Sequence, residues 1–161
     1  MKFLSFGSNL GDRSGIILKA VDLLKAEGVQ ILSFSSFYDT PPWGIENQGR
    51  FLNAVGQVDY PGEPLSLLKI ALSLEMTLGR TRDRKWGPRE IDIDLLEFDR
   101  ISMTTPELNL PHPRYCQRAF VLLPFAEIAP GFVPSGGTKT ISELLSYLPQ
   151  QELDGIVKWQ Y

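Results

Sequence analysis

The stretch FLNAVGQVDYPGEPLSLLKIALSLEMTLG, residues 51–79, predicts a strand followed by a helix. Residues 51–60 carry the apolar and aromatic side chains of a strand, which Pro61-Gly62 closes. Pro64 suits the first turn of a helix, where a backbone N–H has no intrahelical partner. The helix ends at Gly79, and two apolar faces fit its period: Leu65, Leu68 and Leu72, or Leu67, Ala71, Leu74 and Leu78.

The chain before this unit predicts a similar strand and helix, and then one more strand. KFLSF (2–6) is the first strand, and Asp12 is a candidate N-cap for the helix that follows the loop GSNLGD. That helix stops near Gly28 and has its apolar residues at helical spacing: Ile16, Ile17, Ala20, Val21, Leu23 and Leu24. VQILSFSSFYD (29–39) alternates as a second strand, which TPPWG must end.

The chain after this unit completes the pattern with a buried strand within WGPREIDIDLLEF (86–98), where Asp92 and Asp94 alternate with Ile91, Ile93 and Leu95. AFVLLPFAEIAP (119–130) predicts a core helix or strand, with Pro124 unfavourable inside a long helix, and 142–149 predicts a short helix. The order strand–helix–strand–strand–helix–strand predicts an α+β fold. We expect a ferredoxin-like α/β sandwich, with helices packed on one face of a mostly antiparallel sheet.

The composition limits the function classes. The 161 residues predict a single domain spanning 1–161, and 43% hydrophobic with 22% charged residues is typical of a globular protein. A net charge of −3 argues against a protein that coats nucleic acid. Cys116 is the one cysteine, which excludes an internal disulfide and a cysteine zinc cluster. With no apolar run long enough to span a bilayer and no signal peptide, we expect a soluble, cytoplasmic protein. The sequence leaves the oligomeric state open, with a monomer favoured.

Two carboxylates lie close together in the last strand. Asp92 and Asp94 point to the same face, with backbones about 7 Å apart. A divalent cation would relieve their mutual repulsion, and oxygen ligands in a chain with one histidine favour Mg²⁺ or Mn²⁺ over zinc. Solvent exposure or pairing with arginines remains an alternative. A run of cations just upstream favours a metal–phosphate site, although a solvated loop is the commoner reading of such a run: Arg80, Arg82, Arg84, Lys85 and Arg89.

Flat apolar side chains suggest a second ligand. Trp43, Phe51, Trp86 and Phe120 could stack on a planar heterocycle that Asn53 reads through its amide, or they could be core residues. His112 is the one histidine, and a lone histidine is more often a structural group than a catalyst. Its neighbours Arg114 and Arg118 make a polyphosphate contact the competing interpretation.

Five segments together resemble the hydroxymethyldihydropterin pyrophosphokinase family over residues 3–132: FGSNLGDR, SSFYDTPPWG, FLNAV, LGRTRDRKWGPREIDIDLLEFD and LPHPRYCQRAFVLLPFAEIAP. The most specific part is R-x-R followed by W-G-P-R-x-x-D-x-D. The resemblance implies a ferredoxin-like fold and an enzyme that binds ATP beside 6-hydroxymethyl-7,8-dihydropterin. Its reaction would pass the diphosphoryl group of ATP to the pterin hydroxymethyl oxygen and release AMP, a step of folate biosynthesis.

The resemblance also implies residue roles. Asp92 and Asp94 would hold two Mg²⁺ ions, and Arg80 and Arg89 would stabilise the transferring group. The nucleotide side would comprise Glu75, Arg82, Trp86, His112 and Arg118. The pterin pocket would be lined by Thr40, Pro41, Pro42, Trp43, Phe51, Asn53, Trp86 and Phe120. Arg84 and the segment after Pro134 receive no role.

Two other function classes remain to be separated from this one. A metal-dependent nuclease or another two-metal nucleotide-processing enzyme would also use paired aspartates, but would not need an aromatic pocket. A ferredoxin-like RNA-binding module would need sheet-face aromatics in an R/K-G-F-G-F-like context, which the sequence lacks. We therefore expect small-molecule partners, with neither nucleic acid nor a membrane.

Overall fold

The computed structural model describes residues 1–42, 47–79 and 90–160. The strands are β1 (Lys2–Ser8), β2 (Gln30–Phe34), β3 (Tyr38–Thr40), β4 (Phe51–Asp59), β5 (Asp92–Phe98), β6 (Met103–Thr104), β7 (Asn109–Leu110) and β8 (Val157–Lys158). The helices are α1 (Arg13–Ala26), α2 (Pro64–Thr77), α3 (Ala119–Ile128), α4 (Ile141–Ser146) and α5 (Gln150–Leu153). None of the helices in these ranges is long and apolar enough to cross a membrane.

The main sheet is antiparallel and has the strand order β5-β1-β4-β3-β8, with β2 pairing with β4 beside β3. The first predicted strand, β1, therefore lies between β5, the fourth predicted strand, and β4, the third. Two strand–helix–strand units that interleave in this way form the ferredoxin-like arrangement. The predicted fold class is confirmed.

The predicted second strand is broken in the middle, at Ser35. The Ser35 backbone N donates to Val55 O at 2.9 Å, but the Val55 N donates to the Ser35 hydroxyl at 3.0 Å instead of to a backbone carbonyl. A serine side chain can replace the backbone in this way and interrupt a ladder. The result is two short strands, β2 and β3, which both pair with β4.

Helices α1 and α2 cover one face of the sheet. The Asp12 carboxylate caps α1 by accepting from Gly15 N at 2.9 Å, as predicted. Of the two faces proposed for the second helix, the one with Leu67, Ala71, Leu74 and Leu78 is buried, whereas Leu65 is exposed. These side chains form the main core with residues that point the same way from the strands: Leu4, Phe6, Leu52, Ala54, Ile93 and Leu95.

The opposite face is only partly covered, by α3. The sequence predicts helices on one face alone, so this helix is a correction. It packs Val121, Leu122 and Phe125 onto the strand residues Phe3 and Val55. The ring centroids of Phe3 and Phe125 are 4.5 Å apart. Pro124 lies inside α3, because burial of these side chains outweighs the loss of one helical hydrogen bond.

The chain after α3 returns to the sheet at two points. On β5, Glu97 is buried and accepts hydrogen bonds from the Tyr115 hydroxyl (2.7 Å), Ser135 N (3.0 Å) and the Ser135 hydroxyl (2.6 Å). Burial, and then the hydrogen bond to Glu97, raises the pKa of Tyr115. Farther along, β8 pairs with β3. The segment after Pro134, which has no role from the sequence, therefore extends the sheet.

Candidate active site

A cavity of about 280 Å³ lies on the part of the sheet face that α3 leaves uncovered. Residues from five elements and two loops line it: Ser5, Phe6, Gly7, Thr40, Pro41, Phe51, Asn53, Asp92, Asp94, His112, Arg118, Phe120 and Val121. Residues that are far apart in the sequence, between Ser5 and Val121, thus converge on one site. Most of the candidate residues that the structure describes are among them.

The floor of the cavity is formed by three neighbouring strands. Gly7 on the central strand pairs with Asn53 on one side and with Asp92 on the other. Gly7 has no side chain, and a Cβ there would come within 3.1 Å of Asn53 Oδ1. Directly paired residues point to the same face of a sheet. The floor therefore presents an amide, a bare backbone and a carboxylate in a row.

The carboxylate side contains both predicted metal ligands. Asp92 and Asp94 stand on the same face of β5, pair with Gly7 and Ser5, and both line the cavity. No group of three or more His, Cys, Asp or Glu side chains suited to a metal occurs within residues 1–42, 47–79 and 90–160. Mg²⁺ commonly takes one or two carboxylates and fills its other positions with phosphate oxygens and water. This donor set fits Mg²⁺ in that manner.

The predicted pterin residues lie on the other side of the floor. Thr40, Pro41, Phe51, Asn53 and Phe120 all line the cavity. The Asn53 Nδ2 donates to the Thr40 hydroxyl at 2.7 Å, and both side chains are buried. This bond fixes the amide, so that its Oδ1 lies toward Gly7. Pro42 follows Pro41 in the chain but does not line the cavity.

His112 and Arg118, predicted on the nucleotide side, line the cavity near Asp92. His112 is held by its backbone N, which donates to Leu96 O at 2.9 Å. Burial, and then the nearby Arg118 charge, lowers the pKa of His112. The Arg118 guanidinium lies over the Phe120 ring, 5.7 Å from its centroid. The site therefore places a neutral imidazole and a cation beside the carboxylates.

Glu75, which the resemblance assigns to the nucleotide side, is not among the residues that line this cavity. It is 2% exposed, and its Oε1 accepts from Ile93 N at 2.7 Å. Ile93 lies between the two aspartates but points to the opposite face, so Glu75 supports their strand from behind. Its position in the buried stripe, one residue after Leu74, is the sequence signal that indicates this.

Sequence reasoning missed four lining residues: Ser5, Phe6, Gly7 and Val121. The first strand alternates small residues at 5 and 7 with large apolar residues at 4 and 6. That alternation marks one face without large side chains, and it could have indicated the floor of a pocket. The remaining candidates, Trp43, Arg80, Arg82, Trp86 and Arg89, lie outside the described residues.

Comparison with known proteins identifies relatives over most of the chain. A family model described as 7,8-dihydro-6-hydroxymethylpterin-pyrophosphokinase matches residues 3–130. The 2-amino-4-hydroxy-6-hydroxymethyldihydropteridine pyrophosphokinase of Methylorubrum extorquens is 42% identical over 155 residues, which is 96% of this chain and 97% of that protein. The protein of the same name from Bacillus subtilis is 42% identical over 127 residues, or 78% of this chain and 76% of its own.

Solved structures are similar in fold. Wild-type HPPK-DHPS of Plasmodium falciparum superimposes with a TM-score of 0.71 at 16% identity, over 90% of this chain. This chain spans 44% of that longer chain. The fold, the match of the family model and the identity to the bacterial enzymes agree: the chain belongs to the 7,8-dihydro-6-hydroxymethylpterin-pyrophosphokinase family.

Proposed function

We propose that the chain transfers the diphosphoryl group of ATP to the hydroxymethyl group of 6-hydroxymethyl-7,8-dihydropterin, giving the pterin diphosphate and AMP. The observation that carries this proposal is the row Asn53–Gly7–Asp92 on the cavity floor. A planar pterin ring that hydrogen-bonds to Asn53 can lie over Gly7. Its hydroxymethyl substituent then reaches the carboxylate side of the cavity. We propose that this takes place in the cytoplasm and that the protein acts as a monomer.

The pterin ring would be held by shape and by hydrogen bonds. Phe51 and Phe120 supply aromatic surfaces at the cavity wall. The Asn53 Oδ1 is oriented by the Thr40 hydrogen bond and can accept from a ring N–H. A fixed acceptor in a buried pocket discriminates strongly against a ring that lacks the matching donor.

Asp92 and Asp94 would hold two Mg²⁺ ions at the phosphate side. Bound there, Mg²⁺ would neutralise phosphate charge and lower the pKa of the attacking hydroxyl. The two carboxylates supply the negative charge and the oxygen donors that this requires. Neutral His112 and cationic Arg118 would contact the polyphosphate from the adjacent wall. By resemblance, Arg82 and Trp86 would join them, and Arg80 and Arg89 would stabilise the transferring group.

The chemistry is a displacement at the β-phosphorus. The pterin hydroxymethyl oxygen bonds to this phosphorus and gives up its proton, while the bond from the phosphorus to the oxygen bridging to the α-phosphate breaks. AMP then leaves with that oxygen. Since little covalent chemistry falls to the protein, most of the rate would come from positioning the two substrates and neutralising charge.

The test is AMP release by the purified chain with ATP, pterin and Mg²⁺. We expect release that requires the pterin and Mg²⁺ together, with a one-to-one yield of pterin diphosphate. Parallel incubations with single-stranded RNA and DNA separate the other function classes. Pterin-independent ATP cleavage, nucleic-acid cleavage or RNA binding without turnover would each contradict the proposal.

A further inference from the structure

Thr40, Pro41 and Phe51 form one wall of the cavity, which we call the pterin wall. Behind this wall, one carboxylate is held between two arginines from different parts of the chain. Asp39 on β3 binds Arg13, at the start of α1, through Nη2 at 2.9 Å. It also binds the Nε of Arg50, which precedes β4. The Asp39 side chain is 15% exposed, so this ion pair is more sheltered than a typical surface pair. We refer to Arg13, Asp39 and Arg50 as the Asp39 cluster.

The C-terminal segment is attached to the same cluster. The Arg50 Nη2 donates to Gly155 O at 2.6 Å, and β8 pairs Val157 with Asp39. The Arg13 guanidinium lies over the Trp159 ring, 5.1 Å from its centroid. These contacts tie residues 155–159 to β3 and to the residue before β4.

The cluster touches the cavity wall only from behind. Asp39 points to the sheet face opposite Thr40, because neighbouring strand residues alternate. None of the three cluster residues lines the cavity. Thr40 and Phe51 do line it, and they directly follow Asp39 and Arg50 in the chain. Arg13 Nη1 also donates to the Arg50 carbonyl at 2.8 Å. The cluster thus fixes the backbone from which two wall residues project.

Gly155 lies next to a third wall residue. It has a φ of +75°, and a Cβ there would lie 3.1 Å from Pro41 Cγ. Pro41 lines the cavity beside Thr40. A segment far from the cavity in sequence therefore packs against the pterin wall from outside.

We infer that the Asp39 cluster and the C-terminal segment are positioning elements for the pterin wall, and that they control pterin affinity without taking part in phosphate chemistry. This inference rests on the proposed function for the identity of the ligand. Arg13, Asp39, Arg50 and Gly155 act through Thr40, Pro41 and Phe51 and contact no substrate. The segment after Pro134 thereby acquires a role in substrate selection.

The first test compares Asp39→Asn with a matched control, Asp99→Asn. Asp99 is also a carboxylate between two cations, the Met1 amine at 2.6 Å and Lys2 Nζ at 2.7 Å, but it lies beyond the end of β5 opposite to Asp92. We expect Asp39→Asn to raise the pterin KM and the calorimetric pterin Kd about tenfold, with kcat and the ATP KM within about twofold of wild type. Asp99→Asn should leave all four constants near wild type.

The second test does not depend on the ion pairs. Gly155→Ala introduces the Pro41 contact, whereas Gly136→Ala adds the same backbone strain at a φ of +74° with no atom within 4 Å. We expect a similar loss of melting temperature in both, and a several-fold rise in pterin Kd in Gly155→Ala alone.

The outcomes separate this inference from the proposed function. The inference is overturned if each variant and its control have the same pterin KM and Kd. It is also overturned if kcat and ATP affinity fall as much as pterin affinity does. Neither result affects the proposed function as long as the wild-type protein turns over. A wild-type protein with no pterin-dependent AMP release and no pterin binding would overturn both.

Discussion

Asn53 performs two tasks with the two ends of one side chain. Its Nδ2 donates to the Thr40 hydroxyl at 2.7 Å, and its Oδ1 lies beside Gly7. The two tasks depend on each other, because the bond to Thr40 determines which end of the amide faces the cavity. A glycine at position 7 leaves this oxygen its space, since a Cβ there would lie only 3.1 Å from Asn53 Oδ1.

Replacing Asn53 with alanine should weaken pterin binding and lower stability together. The change removes the acceptor for the ring and leaves the buried Thr40 hydroxyl without its donor, each worth about 1–3 kcal/mol. Calorimetry should show a pterin Kd raised tenfold or more, about 1.4 kcal/mol per decade.

Thr40→Val is the matched control for Asn53→Ala, because it breaks the orienting bond but keeps Asn53. We expect it to weaken pterin binding by a smaller factor. Unchanged pterin affinity in Asn53→Ala would place the ring elsewhere.

Glu75 shows which contacts could not be predicted from the sequence. Its place beside Leu74 in the helical stripe indicates burial, but the sequence does not show that its carboxylate accepts from Ile93 N. Only the packing of α2 against β5 reveals that contact. The aspartates themselves were predictable, because a strand alternation alone places Asp92 and Asp94 on one face.

Among the elements, α3 is linked to the sheet and to the C-terminal region through one carboxylate. Its Glu127 accepts from the Ser36 hydroxyl at 2.7 Å and from the Tyr38 hydroxyl at 2.8 Å, and pairs with Lys158 at 3.5 Å. One carboxylate thus connects α3, the break between β2 and β3, and β8. Burial, and then the Glu127 hydrogen bond and charge, raises the pKa of Tyr38 to about 12.

Glu127 should make stability depend on pH on the acid side. Burial raises its pKa, but the hydrogen bonds from Ser36 and Tyr38 lower it by more, so the carboxyl ionises below its ordinary pKa of 4.5. The ionised Glu127 carboxylate therefore contributes fully to the free energy of unfolding above pH 4.5. This contribution is lost as the pH falls through the pKa of Glu127 in the folded protein, which lies below 4.5.

Thermal melts of wild type and Glu127→Gln at pH 7 and at pH 3 test this dependence. The variant should melt lower at pH 7, and the two melting temperatures should converge at pH 3. A difference that stays constant between the two pH values would contradict the assignment.

The elements that sequence analysis described poorly are those decided by packing. Residues 119–126 are all apolar, so periodicity alone left helix and strand open, and burial against Phe3 and Val55 decides for a helix despite Pro124. The interruption of the second strand depends on the Ser35 hydroxyl reaching Val55 N. The pairing of β8 with β3 is a long-range contact with no local signal.

In the whole molecule, the division of the sheet into two faces creates the site. One face is closed by α1 and α2 and forms the main core, while α3 covers only part of the other. The uncovered part carries the ends of three strands and the cavity. The strand and helix order was sufficient to predict the sheet, whereas the extent of α3, and with it the cavity, depends on three-dimensional packing.

Asp92 and Asp94 are proposed to hold Mg²⁺ for a polyphosphate. Asp→Asn keeps the shape and one acceptor oxygen but removes the charge that attracts the cation. Each single variant should therefore fold and bind pterin with wild-type affinity, while turnover falls about 100-fold or more. Glu97→Gln is the control for effects on stability alone. Glu97 also lies on β5, but its carboxylate is buried away from the cavity.

The most direct measurement is the rise in melting temperature that Mg²⁺ and a non-hydrolysable ATP analogue produce together. We predict a clear rise for wild type and for Glu97→Gln, and a rise that is small or absent for Asp92→Asn and Asp94→Asn, because ligands stabilise only the form that binds them. If both aspartate variants keep the full rise and near-normal turnover, these carboxylates are not the metal ligands.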